Sequence, residues 1–224
     1  MSPRAFGLTL LVALPAALTL TPGGGSGTAA QGSAGALPLL SGPREAHAAV
    51  SIQLSLDELV SFTSYVVVAT ATEQRSQWEE IGGARRIVTY TRLTVDRAVA
   101  GQPDADVWVR TLGGVVGDVG QQVSGDAHIK LGTQAMLFLT RAGSAVVVSG
   151  MAQGHYPVVD GAEPRGLTGG PRVAVRRLAP SPDSGTLLPR PGPSISAREQ
   201  LVGATLDAAI DLVGRAWKAK HAQQ

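Results

Sequence analysis

The sequence predicts a mainly β fold, either an antiparallel meander or a small closed barrel, with a short helix before it and an amphipathic helix after it. The first observation is the stretch from Val107 to Tyr156, in which short runs of β-branched and aromatic residues are separated by glycines. Branched side chains pack well on a pleated surface, and glycine accepts the positive φ angles of tight turns. The second is the alternation of apolar and polar residues from Ile87 to Val99, which is typical of a long half-buried strand.

Composition limits the function classes. Basic residues outnumber acidic residues 19 to 17, a net charge of +2. This surplus is too small for nucleic-acid binding driven by counterion release, so we expect no nucleic-acid partner. Sixteen of the basic residues are arginine and three are lysine. The bias of a GC-rich genome is the first explanation, and selection of arginine for anion binding is the alternative.

The chain contains no cysteine. This excludes disulfides, thiolate metal sites, a cysteine nucleophile and a lipid-anchored cysteine. A chain of 224 residues can bury one core without such bridges. The absence of cysteine is therefore compatible with a secreted protein.

Residues 1–48 predict a signal peptide followed by a Gly/Ser/Ala-rich segment. Arg4 forms a minimal positive region, and Ala5 to Leu20 is a short apolar run. Cleavage is expected after Ala30 or after Ala48, and a retained signal anchor is the alternative. We expect a secreted or periplasmic protein that contacts the membrane only through the signal segment before cleavage.

Residues 49–160 are predicted to form the β-barrel domain. Ser55 and Glu58 have the spacing of a capping box, which predicts a short helix from about Leu56 to Phe62. Strand-like runs with turn residues between them then follow at short intervals. The clearest are Tyr65 to Thr72, Ile87 to Val99, Val107 to Leu112, Val119 to Val123, Gln134 to Thr140, Ala145 to Ser149 and His155 to Val159. Such a set favours a closed or nearly closed barrel, because closure removes exposed edges.

The last part of the chain divides into an arm and a helix. Residues 161–195 are rich in proline and glycine and are expected to form an irregular arm, with an edge strand within Arg172 to Leu178. Residues 196–220 predict one amphipathic helix from Ala197 to about Lys218, started by a capping box of Ser196 and Glu199. We expect its apolar face to pack on its own domain rather than on a partner.

No constellation in the sequence dictates a reaction. His128 and His155 lack the accompanying ligands of a metal site. Ser149 lacks the flanking glycines of a nucleophile elbow, and Gly113 to Gly117 lack the lysine of a phosphate-binding loop. We therefore expect no metal, no cofactor and no enzymatic activity.

Several short motifs occur in a defined order, and together they carry a family resemblance. The set resembles a family of uncharacterised exported bacterial proteins, and it is similar to the barrel of netrin-like and tissue-inhibitor-of-metalloproteinase domains. The resemblance covers about Ser51 to Val159 and implies an OB-like barrel, export and a protein partner. The inhibitors act through an N-terminal cysteine, which this chain lacks, so their mechanism does not carry over. The motifs are Ser55-x-x-Glu58-Leu, Tyr65-Val-Val-Val-Ala, Tyr90-Thr-x-Leu-x-Val95, Thr111-Leu-Gly-Gly and Leu137-Phe-Leu.

The favoured function is that of an exported, non-catalytic β-barrel module that binds an extracytoplasmic protein or another ligand through glycine-rich loops. One alternative is a secreted hydrolase, using Ser149 or carboxylates. The other is a structural envelope component, assembled through the apolar face of the last helix. The candidate binding residues are Arg110, Thr111, Gly113, Gly114, Gln153, His155 and Tyr156.

Overall fold

A computed structural model describes residues 50–162 and 174–222. The signal peptide and Gly/Ser/Ala-rich segment predicted for residues 1–48 lie outside this part of the chain. About 50% of the structure is strand and 19% is helix, so the mainly β prediction is confirmed. Within the described residues, no helix is both long and apolar enough to cross a membrane.

The strands and helices follow one another in a simple order. The helices are α1 (Leu56–Ser61), α2 (Ala197–Leu201) and α3 (Leu206–His221), and a single 3-10 turn covers Met151–Gly154. The strands are β1 (Val50–Ile52), β2 (Tyr65–Ile81), β3 (Ala84–Ala100), β4 (Asp106–Leu112), β5 (Gly114–Val116), β6 (Val119–Gln121), β7 (Gln134–Ala142), β8 (Ala145–Val148), β9 (His155–Ala162), β10 (Ala174–Leu178) and β11 (Thr186–Leu188).

The main sheet has the order β10-β9-β7-β2-β3-β4-β8, and β7 also pairs with β8. The pairings therefore run from β7 through β2, β3, β4 and β8 and return to β7. The pair β4–β8 is parallel, as is the separate pair β1–β11. The prediction of a wholly antiparallel sheet is wrong. β8 runs antiparallel to β7, and this direction makes it parallel to its other neighbour, β4.

The predicted strand from Val119 to Val123 does not join the main sheet. It is shorter, as β6, and pairs with β5 in a two-stranded hairpin whose turn contains Gly117 with φ of 59°. Gly117 has no atom near the position of a Cβ, so only its positive φ requires glycine.

The first part of β2 and most of β7 bury both of their faces, and this produces two apolar clusters. We call the first the inner cluster; β2 contributes Val67 and Ala69 to it, and β7 contributes Leu137 and Leu139. The second is the helix-covered cluster, where the intervening residues of the same strands, such as Phe138, pack against α1, α2 and α3. The two-residue period of a strand explains why consecutive residues enter different clusters.

The helix α1 begins as the sequence predicts. The Ser55 hydroxyl accepts a hydrogen bond from the backbone N–H of Glu58, and the Glu58 carboxylate accepts one from the backbone N–H of Ser55. Arg190 also forms an ion pair with Glu58. The buried side chains of α1 include Leu59 and Val60, which belong to the helix-covered cluster.

The prediction of a single C-terminal helix from Ala197 to about Lys218 is wrong. The capping box at its start is present, but α2 ends at Leu201 and α3 begins only at Leu206. Between them, Gly203 has φ of 82°, and its backbone N–H donates to the carbonyl oxygen of Leu178 on β10. Thr205 then caps α3. The helix is therefore interrupted at the backbone hydrogen bond between Gly203 and β10, although the apolar periodicity of the sequence continues across the break.

The predicted packing of the helix on its own domain is confirmed. Leu206, Ile210 and Val213 are at most 6% exposed, and Val202 and Trp217 pack against the same cluster. The apolar stripe of α2 and α3 is therefore part of the core.

The predicted irregular arm contains ordered contacts in its described part. The edge strand expected within Arg172 to Leu178 is present as β10, which pairs with β9. Further along, β11 pairs with β1, and the backbone N–H of Ala179 donates to the carbonyl oxygen of Pro157. Residues 163–173 of the predicted arm lie outside the described residues.

Candidate functional site

The candidate residues predicted from the sequence lie in three separate places and do not form one binding rim. Gln153, His155 and Tyr156 lie on or next to the start of β9. The two glycines of the other predicted loop, Gly113 and Gly114, line a cleft. The remaining pair lies on β4, with its side chains on opposite faces of that strand; these residues are Arg110 and Thr111.

Gln153 and Tyr156 have structural contacts. The Gln153 side-chain amide accepts from the backbone N–H of Leu54 and donates to the carbonyl oxygen of Ile52, so it fastens the segment after β1. Tyr156 is 3% exposed and packs edge-on against Phe138 in the helix-covered cluster. Burial raises the pKa of its phenol, with Arg198 acting in the opposite direction.

His155 is also buried, with 3% of its surface exposed. Its Nδ1 lies 3.2 Å from the hydroxyl oxygen of Ser181, and both residues line a narrow recess beside the arm. Desolvation lowers the pKa of His155 to about 4, and the charge of Asp183 opposes this shift. The imidazole is therefore neutral at pH 7, and its contact with Ser181 holds the arm on β9.

The serine considered for hydrolysis has a different partner. The hydroxyl oxygen of Ser149 lies 2.5 Å from that of Thr140, and Ser149 is 2% exposed. The Thr140 hydroxyl also donates to the carbonyl oxygen of Phe62. These contacts place Ser149 in a hydrogen-bond network that ties β7 to the end of α1.

The glycine-rich loop after β4 has a packing role. Gly113 has φ of 93°, and its carbonyl oxygen accepts a hydrogen bond from the Thr89 hydroxyl. A Cβ on Gly114 would collide with the hydroxyl groups of Thr89 and Ser76. Gly114 therefore allows β5 to approach the β2–β3 hairpin closely, whereas a Cβ on Gly113 would meet the carbonyl oxygen of Gln121 on β6.

Beside these glycines is an open cleft of about 710 Å³, which contains the partly buried Asp126. The Asp126 carboxylate accepts hydrogen bonds from the backbone N–H groups of Leu112 and Ala127. Desolvation raises its pKa despite these bonds, and the nearby charge of Asp183 adds to the increase. No group of three potential metal-ligating side chains occurs in residues 50–162 and 174–222.

The two candidates on β4 face opposite environments. Thr111 is 6% exposed and points inward, where its hydroxyl lies 3.4 Å from the carbonyl oxygen of Thr89. Arg110 points outward, and its guanidinium lies 3.4 Å from the Glu79 carboxylate. Of the residues predicted from the sequence, Arg110 is the one whose charged side chain lies on an outer face of the sheet.

Arg110 belongs to a cluster on the outer side of β2, β3 and β4, which we call the arginine–aromatic face. The guanidinium carbon of Arg75 lies 4.6 Å from the ring centroid of Trp108 and 5.7 Å from that of Tyr90. The Tyr90 hydroxyl donates to the Glu79 carboxylate over 2.8 Å. The arginine–aromatic face is thus defined by Arg75, Glu79, Tyr90, Arg92, Trp108 and Arg110.

Strand register builds this face. Arg75 on β2 is opposite Tyr90 on β3, and Tyr90 is opposite Arg110 on β4. In the adjacent row, Arg92 is opposite Trp108. Because opposed residues point to the same side of a sheet, the side chains of the three strands meet on one surface.

Ion pairs hold the edges of this face. The Arg92 guanidinium lies 2.9 Å from the carboxylate of Asp106 and 3.9 Å from that of Glu73. Hydrogen bonds from Gln77, then from Tyr90, lower the pKa of Glu79. Desolvation and the bond to Glu79 raise the pKa of Tyr90. Glu79 is therefore ionised and Tyr90 neutral at pH 7.

The sequence interpretation missed five of the six members of this face, although one signal pointed to three of them. The alternation from Ile87 to Val99 places Tyr90 and Arg92 on the side opposite the apolar residues. On β4, Trp108 likewise lies on the side opposite Val107 and Val109. Arg75 could not be assigned, because the polar hairpin that contains it has no clear period in the sequence. The clustering of aromatic and arginine residues at outward positions was the usable signal.

Comparison with known proteins assigns no family to this chain. No family model matches the sequence, and neither the curated proteins nor the solved structures include a significant match.

Proposed function

We propose that this protein is an exported, non-catalytic module that binds another protein through the arginine–aromatic face. The observation that carries the proposal is the position of Arg75 over both Trp108 and Tyr90 on an outer sheet surface. Tryptophan, tyrosine and arginine are the residue types most enriched among those that dominate the energy of protein interfaces. Their juxtaposition on three paired strands favours a protein-binding surface.

The rigidity of the face supports the same function. Three strands fix the positions of its side chains, and the ion pairs of Arg92 and Arg110 restrict their rotamers. A surface that is ordered before binding loses less conformational entropy when a partner arrives. The face is therefore better suited to binding than an equal number of aromatic and arginine side chains on loops.

We further propose that the main sheet is an OB-like barrel. The return of the strand pairings to β7, together with the parallel pair β4–β8, supports closure. In this topology, β3 and β4 correspond to the second and third strands, whose outer face binds ligands in OB-folds. The arginine–aromatic face occupies that position, an agreement that rests on fold analogy.

The burial of Ser149, Ser181 and His155 supports a non-catalytic role. All three are at most 5% exposed, so little of each side chain is accessible to a substrate. Export rests on the sequence pattern of residues 1–48. A broad hydrolase screen on the purified protein tests the enzyme alternative directly, since hydrolysis abolished by Ser149→Ala would contradict the non-catalytic proposal.

A comparative pull-down tests the binding function. The wild-type protein and a variant with Tyr90→Ala and Trp108→Ala are used as baits for secreted and periplasmic proteins of the source organism. Arg141→Ala is a matched control, because Arg141 also lies 5.7 Å from a tyrosine ring, that of Tyr65, but outside the face. We expect one partner retained by wild type and control and lost by the double variant. Equal capture by all three baits, or no reproducible partner, would contradict the proposal.

A further inference from the structure

The charges on the arginine–aromatic face and its border do not all have partners. Each of the three carboxylates there, on Glu73, Glu79 and Asp106, pairs with Arg92 or Arg110. Arg75 is exposed and makes no ion pair with any described residue, although it lies in the centre of the face. Arg75 is therefore a cation at the centre of this surface that no described carboxylate pairs with directly.

The surroundings of Arg75 prepare it to bind a carboxylate. Its guanidinium lies over Trp108 and Tyr90, and stacking on aromatic rings restricts the side chain while leaving the N–H groups at its edge accessible. An arginine held in this way can donate two parallel hydrogen bonds to a carboxylate, which is among the strongest pairings in proteins. The three carboxylates on and beside the face are in ion pairs with Arg92 and Arg110, and none of them lies within ion-pair distance of Arg75.

A second unmatched cation lies toward the tip of the hairpin. Arg86 is opposite Glu79 in the strand register, so it is on the same side of the sheet as Arg75. It is exposed and makes no ion pair with another residue of the described chain. On this side of the sheet the four arginines, including Arg75 and Arg86, outnumber the three carboxylates by one, and the two named here are the ones without a direct ion pair.

We infer that the partner presents an acidic segment to this face, with one carboxylate bound by Arg75 and a neighbouring one close to Arg86. This inference rests on the proposed function. A protein segment is favoured over a polyanion such as polyphosphate, because two unmatched arginines release few counterions. The aromatic rings beside Arg75 also provide apolar contacts for the side chains that flank the acidic residue.

The test uses three peptides, hexaglutamate, hexaglutamine and hexalysine, together with inorganic polyphosphate. Each is titrated into the purified protein while the backbone amides and the indole N–H of Trp108 are followed by NMR. We expect hexaglutamate alone among the peptides to shift Trp108, Arg75 and Arg86, with an affinity that falls as salt is added. No shift up to about 1 mM hexaglutamate, or tighter binding of polyphosphate at the same residues, would overturn the inference.

Two variants separate charge from geometry. Arg75→Gln should weaken hexaglutamate binding about tenfold, which corresponds to about 1.4 kcal/mol. Arg75→Lys keeps the charge but loses the planar fork, and it should recover only part of the affinity. Arg141→Gln is the matched control and should bind as wild type does. Unchanged affinity in Arg75→Gln, with the fold intact by NMR, would contradict the role of Arg75.

The pull-down distinguishes this inference from the proposed function. A partner lost with Tyr90→Ala and Trp108→Ala but retained by Arg75→Gln would leave the binding face intact and refute the acidic segment. A partner retained by all of these variants would refute the binding face itself.

Discussion

The outer surface of the main sheet has two regions that differ in composition and in cover. On β2 and β7 the outward residues, such as Val68 and Phe138, are apolar and lie beneath the three helices. On β3 and β4 the outward residues include Tyr90, Arg92 and Trp108, and they remain partly exposed. Both regions share one inner cluster, so the difference is confined to what packs outside.

The outward side chains of these strands differ in role: in one region they stabilise the fold, and in the other they remain at the surface. The helix-covered region provides the hydrophobic free energy that stabilises the fold, because its side chains are removed from water on folding. The arginine–aromatic face buries less surface and retains groups that can bind a partner. Substitutions in the first region should therefore lower stability, whereas those in the second should mainly lower binding.

The largest effect is expected for Phe138→Ala. This side chain is fully buried and contacts the Tyr156 ring, so its loss leaves a cavity under the helices. The free energy of unfolding should fall by about 3 to 5 kcal/mol. Trp108→Ala should cost about 1 kcal/mol, the scale of an exposed cation–π contact. Urea unfolding measures the free energy of unfolding that each variant loses. Equal losses would show that the two regions share the same structural role.

The second effect is a pH dependence at His155, which is opposite Leu137 of the inner cluster and contacts Ser181 of the arm. The pKa of His155 is lowered from 6.5 to about 4 in the folded protein, so the unfolded state binds more protons between these values. Stability should be highest above pH 6.5 and should fall by about 3 kcal/mol as the pH approaches 4, since one pKa unit corresponds to about 1.4 kcal/mol. Asp126, whose pKa is raised, acts in the opposite direction by favouring the folded state when protonated.

Variants assign this pH dependence to its source. His155→Gln keeps a polar group for Ser181 and should flatten the fall of stability between pH 6.5 and 4. Asp126→Asn should make the same fall steeper, because it removes the opposing contribution. Urea unfolding across this pH range measures both slopes. A wild-type slope that persists in His155→Gln would locate the titrating group elsewhere.

A smaller effect is expected at the start of α2, which helps to cover the sheet. Ser196→Ala removes the hydroxyl that accepts from the backbone N–H of Glu199 and should cost about 1 kcal/mol. Ser196→Asp retains an acceptor and serves as the control, although it places a second carboxylate beside Glu199. Thermal unfolding reports the loss. If the alanine variant matched wild type, the capping box would make no contribution to covering the sheet.

The smallest stability effect is expected for Arg110→Ala on the arginine–aromatic face. The Glu79 carboxylate keeps its hydrogen bonds from Gln77 and Tyr90, and partly exposed ion pairs contribute about 0.2 to 1 kcal/mol. Unfolding by urea should therefore change by less than about 1 kcal/mol, whereas capture of the partner should decrease. A large loss of stability would move Arg110 from the binding surface to the structural framework.

Much of the fold could be predicted from local sequence. The glycines at the tip of the β2–β3 hairpin, the capping boxes of α1 and α2, and the alternation along β3 each involve neighbouring residues. The candidate site could be predicted only in part, since Arg110 lies on the proposed face whereas Tyr156 and His155 are buried. Turn glycines and polar aromatic residues occur both at binding rims and where strands enter a core, so composition does not distinguish these environments.

The sequence by itself determined which residues share a side of the clearly alternating strands, such as β3, and where most elements begin, because these properties follow from a short period and local hydrogen bonds. The tertiary structure decided the pairing of β4 with β8, the break at Gly203 and the choice of which outer surface the helices cover. These features depend on contacts between residues far apart in the chain. Local patterns do not indicate which other element a surface will pack against. The arginine–aromatic face could therefore be recognised only once the three strands were placed side by side.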